Sequence, residues 1–491
     1  MDMNNQLEFP RLGEPIPTKK QINKQKTYHN NNSKHKHLSD KYYRPWRHNT
    51  PSVPCTGNQF KLCSYNILAD QYIDSTYTKH LPQQYIDFHH YRADNLCREL
   101  IDLHCDIICL QECNYYQTYW RSRLYDYKYE SIYQQRNKSM DDQQCTLDQL
   151  DGVAIFYDYQ KFTLLHSHGV LYDKYNKSTM NKPNCAVLAI LQLTETPQNY
   201  LCVVNTHLLF NPKRGEIKLS QIQYLLNTIE YQCNHFLSTC TNVIRNFNIV
   251  VTGDFNSTPE SHIIQYIIQQ KLRYTNLDRR NMDGQHHHSY SASCTHNQSI
   301  AIQTQNEQNT TRKRNVDEYL LKPDDLLPIN IHDTSDTIHH NLQLHSVFAD
   351  KSIYQHLDTT NLSTDQYNIP FRYRPTFFHC EKKQAVDYIM YTPNNYSSTT
   401  VVQDDELTNN YNKHEIQSMF QHQQCTAAPL TSLPTNIISP AHNINTSKQS
   451  LCVTQIYELP QLNTLHGVNV LPTRTHSSDH FPLAVQFQYV S

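Results

Sequence analysis

The segment Val250-Val251-Thr252-Gly253-Asp254-Phe255-Asn256 constrains this chain more than any other. A short β-branched run reads as a buried strand, and it breaks on a glycine, a residue that supplies backbone geometry others resist. Side chains two apart on an extended segment face the same way, so Asp254 and Asn256 converge at the mouth of a sheet. There a carboxylate can take a proton from water while an amide donates to a phosphate oxygen. By itself the segment is equally an ordinary strand-to-loop turn, but five others repeat the arrangement.

Asn66 lies in the alternating stretch 60–68, Glu112 closes the strand-like run 106–112, and His207 closes 201–207. Asp387 sits in 385–391, and Asp479-His480 precede a last apolar run at 482–487. Further strands are predicted at 151–157 and 186–193. Leu96, Leu100, Ile101 and Leu103 recur at helical spacing over 91–104, as do Ile222, Leu225, Leu226 and Ile229 over 220–237. A third helix is predicted after the Gly-Asp-Phe-Asn turn, with Thr258 as N-cap and Pro259 in its first turn.

Polar groups at the ends of apolar strands are where α/β enzymes build sites. Each has a bland alternative: Glu112 as a solvated strand cap, Asp387 as a turn residue, His207 as a hydrogen-bonded core histidine. Six in order point to one site. Hard carboxylates suit Mg²⁺, with Mn²⁺ the other candidate. His and Asn can donate to phosphate oxygens, and an Asp–His pair fixes a tautomer. Neither a phosphate-cradling glycine loop followed by Lys nor a Gly-x-Ser-x-Gly turn is present, which disfavours nucleotide-triphosphate transfer and serine hydrolysis. The implied chemistry is metal-assisted hydrolysis of a phosphoester.

The 491 residues have room for one large domain or two smaller ones. A hydrophobic share of 38% falls below the usual level of about 45–50%, as for one packed domain with polar insertions. Residues 1–58 carry ten Lys/Arg against four Asp/Glu and read as a disordered basic arm. Residues 59–491 read as the catalytic domain, with insertions at about 271–370 and 393–457. A net charge of −2 provides no global field toward nucleic acid, so polyanion binding needs a local patch. The lack of a long apolar run or signal-like N-terminus, and fifteen cysteines without a framework, suit reduced thiols in the cytoplasm or nucleus. Cys105, Cys109 and Cys113 read as core thiols rather than zinc ligands. The histidine-rich tracts at 34–37 and 286–288 read as low-complexity drift.

The ordered set Ser64-Tyr65-Asn66-Ile67-Leu68, Leu110-Gln111-Glu112, Asn205-Thr206-His207-Leu208, Thr252-Gly253-Asp254-Phe255-Asn256, Val386-Asp387-Tyr388-Ile389 and Ser478-Asp479-His480 resembles the endonuclease/exonuclease/phosphatase superfamily. Within it, the set is similar to the deadenylase-type branch. Residues 208–219 and 151–165 are most similar to the Angel proteins. The resemblance covers about 60–270, 371–392 and 458–491. It implies a four-layer α/β sandwich of two mostly antiparallel sheets flanked by helices. It also implies that Glu112 ligates Mg²⁺, with Asn66 and Asp479 helping to order metal and water. Asp254 would orient or deprotonate the attacking water, Asn256 and His207 would hold the phosphate, and His480, its tautomer set by Asp387, would stabilise charge.

Angel-like proteins act on RNA, so the resemblance implies either hydrolysis of a 2′,3′-cyclic phosphate end or 3′-to-5′ trimming of poly(A). The poly(A)-specific members carry an aromatic residue five positions before the Val-Asp-Tyr aspartate, whereas this chain has Lys382 there. Such a stacking platform is worth about 1–3 kcal/mol per base, so its loss favours the cyclic phosphate. Lys382 remains able to grip a phosphate. Lys213 and Arg214 are either basic RNA contacts or part of a solvated loop. The rival reading is a non-catalytic adaptor for RNA or a translation complex, using the arm and insertions.

Overall fold

Strands form where the apolar runs lie, and they pair into two large sheets. The computed structural model describes residues 44–48, 59–139, 142, 144–174, 180–285, 316–326, 329–330, 332–348, 374–379, 382–396, 449–460 and 471–490. The first sheet has the order β1 (Trp46–His48), β16 (Ser450–Tyr457), β17 (Leu483–Val490), β2 (Gln59–Asn66), β3 (Ile107–Gln111), β5 (Gly152–Asp158), β4 (Tyr129–Gln135). The second runs β12 (His345–Ser346), β15 (Asp387–Tyr391), β9 (Asn246–Asp254), β8 (Asn199–His207), β7 (Cys185–Leu193), β6 (Phe162–Leu171). Within these sheets only β2–β3 and β8–β9 are parallel. Two small ribbons complete the set: β10 (Lys271–Arg273) with β11 (Thr337–His339), and β13 (Phe377–His379) with β14 (Lys382–Gln384).

Central strands are covered on both faces, which is why β3 and β9 are buried throughout and carry continuous apolar runs at 107–110 and 249–251. The sheets meet through aromatic contacts, Phe60 edge-on to Phe162 at 5.9 Å and Tyr391 to Phe487 at 5.3 Å. On the outer face of the first sheet, Leu96 and Leu100 of α1 (Ala93–Asp102) pack with Cys63, Tyr65, Ile108 and Leu110. On the second, α2 (Gly215–Thr239) and α3 (His262–Gln269) set Ile222, Leu225, Ile229 and Ile263 against Val204, Ile249 and Val251. Helices, sheet, sheet, helices: the expected sandwich is present.

Several boundaries differ from the sequence reading. Ser261, not Thr258, caps α3, its hydroxyl accepting from the Ile264 amide at 3.2 Å. Thr258 instead donates its backbone N–H to the Asp283 carbonyl at 2.8 Å, and that tether delays the helix. Strand β1 falls inside the predicted arm, and β16 inside the second insertion. The first insertion is not all peripheral: Tyr274, Met282, Leu321, Ile338 and Leu342 join the core over α2. Their segments also satisfy the polar side of that helix. Gln223 Nε2 donates to Asp333 at 3.0 Å, and Glu230 accepts from Asn341 Nδ2 at 2.8 Å. Polar cover on a polar helix face leaves little hydropathic signal. Residues 1–43, 286–315, 349–373 and 397–448, with both histidine tracts, lie outside the described residues.

His340, in this covering segment, is buried. Its Nδ1 accepts the Leu342 amide at 3.2 Å, and its Nε2 faces the Tyr266 carbonyl at 3.0 Å, a pairing that suits the neutral ring. Burial is the main cause that pushes its pKa down to about 4. The unfolded chain then takes up the proton first on acidification. Stability contributed above the usual value of about 6.5 is lost as pH falls toward 4. Wild type should lose about 2 kcal/mol more than His340→Gln between pH 7 and pH 5, measured by urea unfolding. Equal losses would show that the ring accepts a proton in place.

Candidate active site

Strand register places the candidate side chains before any of them interacts. His207, Asp254 and Asp387 occupy one row across β8, β9 and β15, each paired with the next. On the facing sheet Asn66 pairs with Gln111, so Glu112 follows at the same edge, and Ser478-Asp479-His480 lead into β17 beside β2. Gly253 makes the parallel β8–β9 approach feasible: at φ +145°, an added Cβ would lie 2.0 Å from the Thr206 carbonyl oxygen. Glu112 and Asn256 adopt left-handed backbone at φ +54° and +47°, turning their side chains in from the strand ends.

Asn66 ties the two sheets together at the site. Its Nδ2 donates to Glu112 Oε1 at 2.9 Å and to Asp254 Oδ2 at 3.1 Å. The same Asp254 oxygen lies 3.6 Å from His207 Nε2 and 3.7 Å from His480 Nε2. Asp387 Oδ2 holds His480 Nδ1 at 2.8 Å, which leaves Nε2 facing Asp254. Asn256 donates from Nδ2 to the Leu208 carbonyl at 3.0 Å and meets His207 Nε2 at 3.1 Å. Asp479 accepts from the Tyr77 hydroxyl at 2.7 Å, while its Oδ1 is buried without a hydrogen-bond partner among the described residues.

Four buried carboxylates, Glu112, Asp254, Asp387 and Asp479, therefore crowd one edge. Burial raises Glu112 to about 7, with His207 opposing the rise and Asp479 adding to it. Burial first, then Asp387, also raises Asp254. For His480, burial alone would lower the pKa, but Asp387, followed by Asp479 and Asp254, carries it up to about 10. Ligand atoms of Glu112, His207 and Asp254 converge within 4.8 Å, as do those of Asp254, Asp387 and His480. Hard buried oxygens, with Asp479 Oδ1 left without a hydrogen bond and 3.9 Å from His480 Nε2, fit a divalent cation.

Asn66, Glu112, His207, Asp254, Asn256, Asp387, Asp479 and His480 are thus brought together. The three basic candidates lie outside this cluster of bonds. Lys213 is exposed on the turn after β8, and Arg214 is paired with Glu216 at 2.6 Å. Lys382 is exposed at the start of β14, on the hairpin whose Phe377 bridges to His480. Sequence reasoning passed over Tyr77 and Arg92, and gave Ser478, within the Ser478-Asp479-His480 motif, no role of its own. The buried Arg92 donates to the carbonyls of Ile67 and Leu68 and, at 2.9 Å, of Ser477, joining the Asn66 and Asp479 loops. Ser478 Oγ donates to the Asn66 carbonyl at 2.6 Å. Arg92 had a visible signal: it falls four residues before Leu96, in the helical turn Phe88–Arg92 that runs into α1, in line with the apolar stripe.

The sequence pattern of the Endonuclease/Exonuclease/phosphatase family matches residues 63–408. The chain belongs to this family. Among family relatives, Protein angel homolog 2 of Bos taurus is 29% identical over 351 residues, 68% of this chain and 59% of its own length. The CCR4-Not complex 3′-5′-exoribonuclease subunit Ccr4 of Candida albicans is 30% identical over 228 residues, 43% of this chain and 29% of its own. The chain therefore spans less than two thirds of either relative. Among solved structures, ANGEL2, a 2′,3′-cyclic phosphatase, aligns at TM-score 0.58 and 22% identity over 91% of this chain and 97% of that one. Its complex with adenosine-2′,3′-vanadate gives 0.56 at 22% identity, over 91% and 99%. These likenesses establish the endonuclease/exonuclease/phosphatase fold.

Gly253→Ala should cost about 3 kcal/mol or more in urea unfolding, since strained backbone adds to a backbone clash. A loss below about 1 kcal/mol would show that β8 and β9 can part to admit a methyl group.

Proposed function

We propose that this protein is a divalent-metal-dependent phosphoesterase acting on RNA 3′ ends, and that its reaction is hydrolysis of a terminal 2′,3′-cyclic phosphate. The observation that carries the reading is the placement of one Asp254 oxygen between His207 Nε2 and His480 Nε2, with Asp387 behind His480. Phosphoester hydrolysis is served by a base for water and by hydrogen-bonding groups for the phosphoryl oxygens. Both are present within one edge of the sandwich.

Mg²⁺, with Mn²⁺ as alternative, would be held by Glu112 and Asp479 with Asn66 beside them, and when bound it polarises the phosphoryl oxygens and neutralises charge. Asp254 orients water and accepts its proton as the water oxygen bonds to phosphorus. One of the two ribose P–O bonds of the ring breaks, and the released oxygen ends protonated as a hydroxyl beside a phosphomonoester. His480, cationic near neutral pH with Asp387 on Nδ1, stabilises the charge that develops on phosphorus oxygens. Asn256 and His207 hold the phosphate, the Asn256 N–H that now meets His207 turning to a phosphoryl oxygen. Lys382, Lys213 and Arg214 are proposed as contacts to neighbouring phosphates.

Lys382, standing where the poly(A)-specific members place an aromatic residue, supports the cyclic phosphate over stepwise trimming, as does the likeness to Protein angel homolog 2. The second reading, a 3′-to-5′ poly(A) exoribonuclease, is supported by the likeness to Ccr4. The eleven described cysteines, none in a disulfide, fit the cytoplasm or nucleus, and no described helix is long and apolar enough to cross a membrane.

An RNA ending in a 2′,3′-cyclic phosphate should be opened without shortening in Mg²⁺ and left intact in EDTA. Asp254→Asn and His480→Gln should each lower kcat by about 100- to 10,000-fold at wild-type Tm. Shortening of an oligo(A) RNA with a 3′-hydroxyl would instead establish the exoribonuclease. Turnover of neither RNA would sink both and favour the adaptor. Mg²⁺ should also raise the Tm of wild type, equivalent to about 2.7 kcal/mol at 100 times Kd, and raise that of Glu112→Gln far less. Equal rises would remove Glu112 from the metal site.

A further inference from the structure

Lys218 carries a buried charge that the chemistry above does not use. It lies on α2 four residues before Ile222 and seven before Leu225, on the stripe that should be apolar. Its Nζ donates to Asp283 Oδ2 at 2.5 Å, with both side chains wholly buried. The same Nζ donates to the backbone carbonyl of Asn256 at 2.6 Å, and Gln285 Nε2 donates to that carbonyl at 2.5 Å.

A buried ion pair gains little stability over an apolar pair of similar volume, so its geometry calls for another explanation. Everything around it is braced toward the Asn256 turn. Asp283 Oδ1 accepts the Gln285 amide at 3.0 Å, and the Asp283 carbonyl accepts the Thr258 amide at 2.8 Å. Gly284, at φ +73°, allows the two turns to touch: an added Cβ would lie 2.0 Å from Thr258 Oγ1. Gln384 Nε2 donates to the Gln285 carbonyl at 3.1 Å, tying the strut to the hairpin that carries Lys382. Asn256 has left-handed backbone, and a carbonyl with no regular strand partner would let that turn relax.

We infer that Lys218, Asp283 and Gln285 form a strut that holds the Asn256 turn, and with it the amide that grips the scissile phosphate; they are positioning residues. This rests on the proposed phosphoesterase reading only for its effect on rate. The effect on the turn itself is independent of any activity.

Removing Lys218 alone would strand a buried carboxylate, so the test uses the neutral pair Lys218→Met with Asp283→Asn, which keeps the acceptor for the Gln285 amide. In hydrogen exchange, the Asn256 and Thr258 amides of this full-length variant should lose about 10-fold or more of their protection while β7 and β8 stay unchanged. Unchanged protection at Asn256 and Thr258 would overturn the strut. On cyclic-phosphate RNA, kcat/KM should fall about 10- to 100-fold, and the same pair added to Asn256→Ala should cost nothing further. A multiplicative loss in that background would show that the pair acts elsewhere and overturn the inference. If wild type itself fails to turn over, the proposed reaction falls, and hydrogen exchange alone decides the strut.

Discussion

One buried amide pair sets the relation between the two sheets. Asn205, wholly buried on the inner face of β8, accepts from Gln111 Nε2 at 2.7 Å and donates to the carbonyls of Leu110 and Ala154 at 2.8 and 2.9 Å. Apolar contact between sheets tolerates sliding, because dispersion and burial are nearly directionless. Hydrogen bonds in a dry interior do not, since a shift of a residue would leave amide and carbonyl groups unsatisfied at about 1–3 kcal/mol each. The clamp lies one residue from Glu112 and two from His207. It locks together the two edges that must face each other for Asn66 to reach Glu112 and Asp254 at once.

Outward from that clamp, the supports of the site are polar and buried. Arg92 gathers the carbonyls of the Asn66 loop and of Ser477, Tyr77 steadies Asp479, and Asp387 steadies His480. Thr376 Oγ1 accepts the amides of Val386 and Asp387 at 3.1 and 3.3 Å. The Asn66 loop, Asp479 and His480 are thus each backed by a buried polar partner. An edge dense in carboxylates is held rigid by backing partners rather than by mutual attraction.

The strand ends were legible in the sequence because a period-two or continuously apolar run announces both a strand and its last residue. That suffices to place Asn66, Glu112, His207 and Asp254 at strand ends; Asp387 instead opens β15, and antiparallel pairing with β9 brings it to the same edge. Three strands were harder to read for a physical reason. β16 alternates buried and half-buried residues beside the short edge strand β1, β4 has Ile132 as its one aliphatic residue among Tyr, Gln, Glu and Ser, and much of β6 is only half-buried. Polar segments that cover a polar helix face likewise carry no hydropathic contrast, so residues 316–348 resembled a loop. The missed supports, Arg92 and Lys218, share one signature: a charge set on the apolar stripe of a helix. Charges there are costly unless paired, so the position itself signals a buried partner.

The last long strand is not at the margin of its sheet. β17 enters between β16 and β2, and Ser478 reaches a carbonyl of Asn66 across 412 residues of chain. During synthesis, β2 and β3 emerge with a gap where β17 belongs, and the second sheet can form while the first has an open seam. Asp479 and His480 arrive with the strand that closes it. A chain that stops before Ser478 lacks Asp479, His480 and the strand that closes the seam, so the cleft is incomplete until that strand is in place.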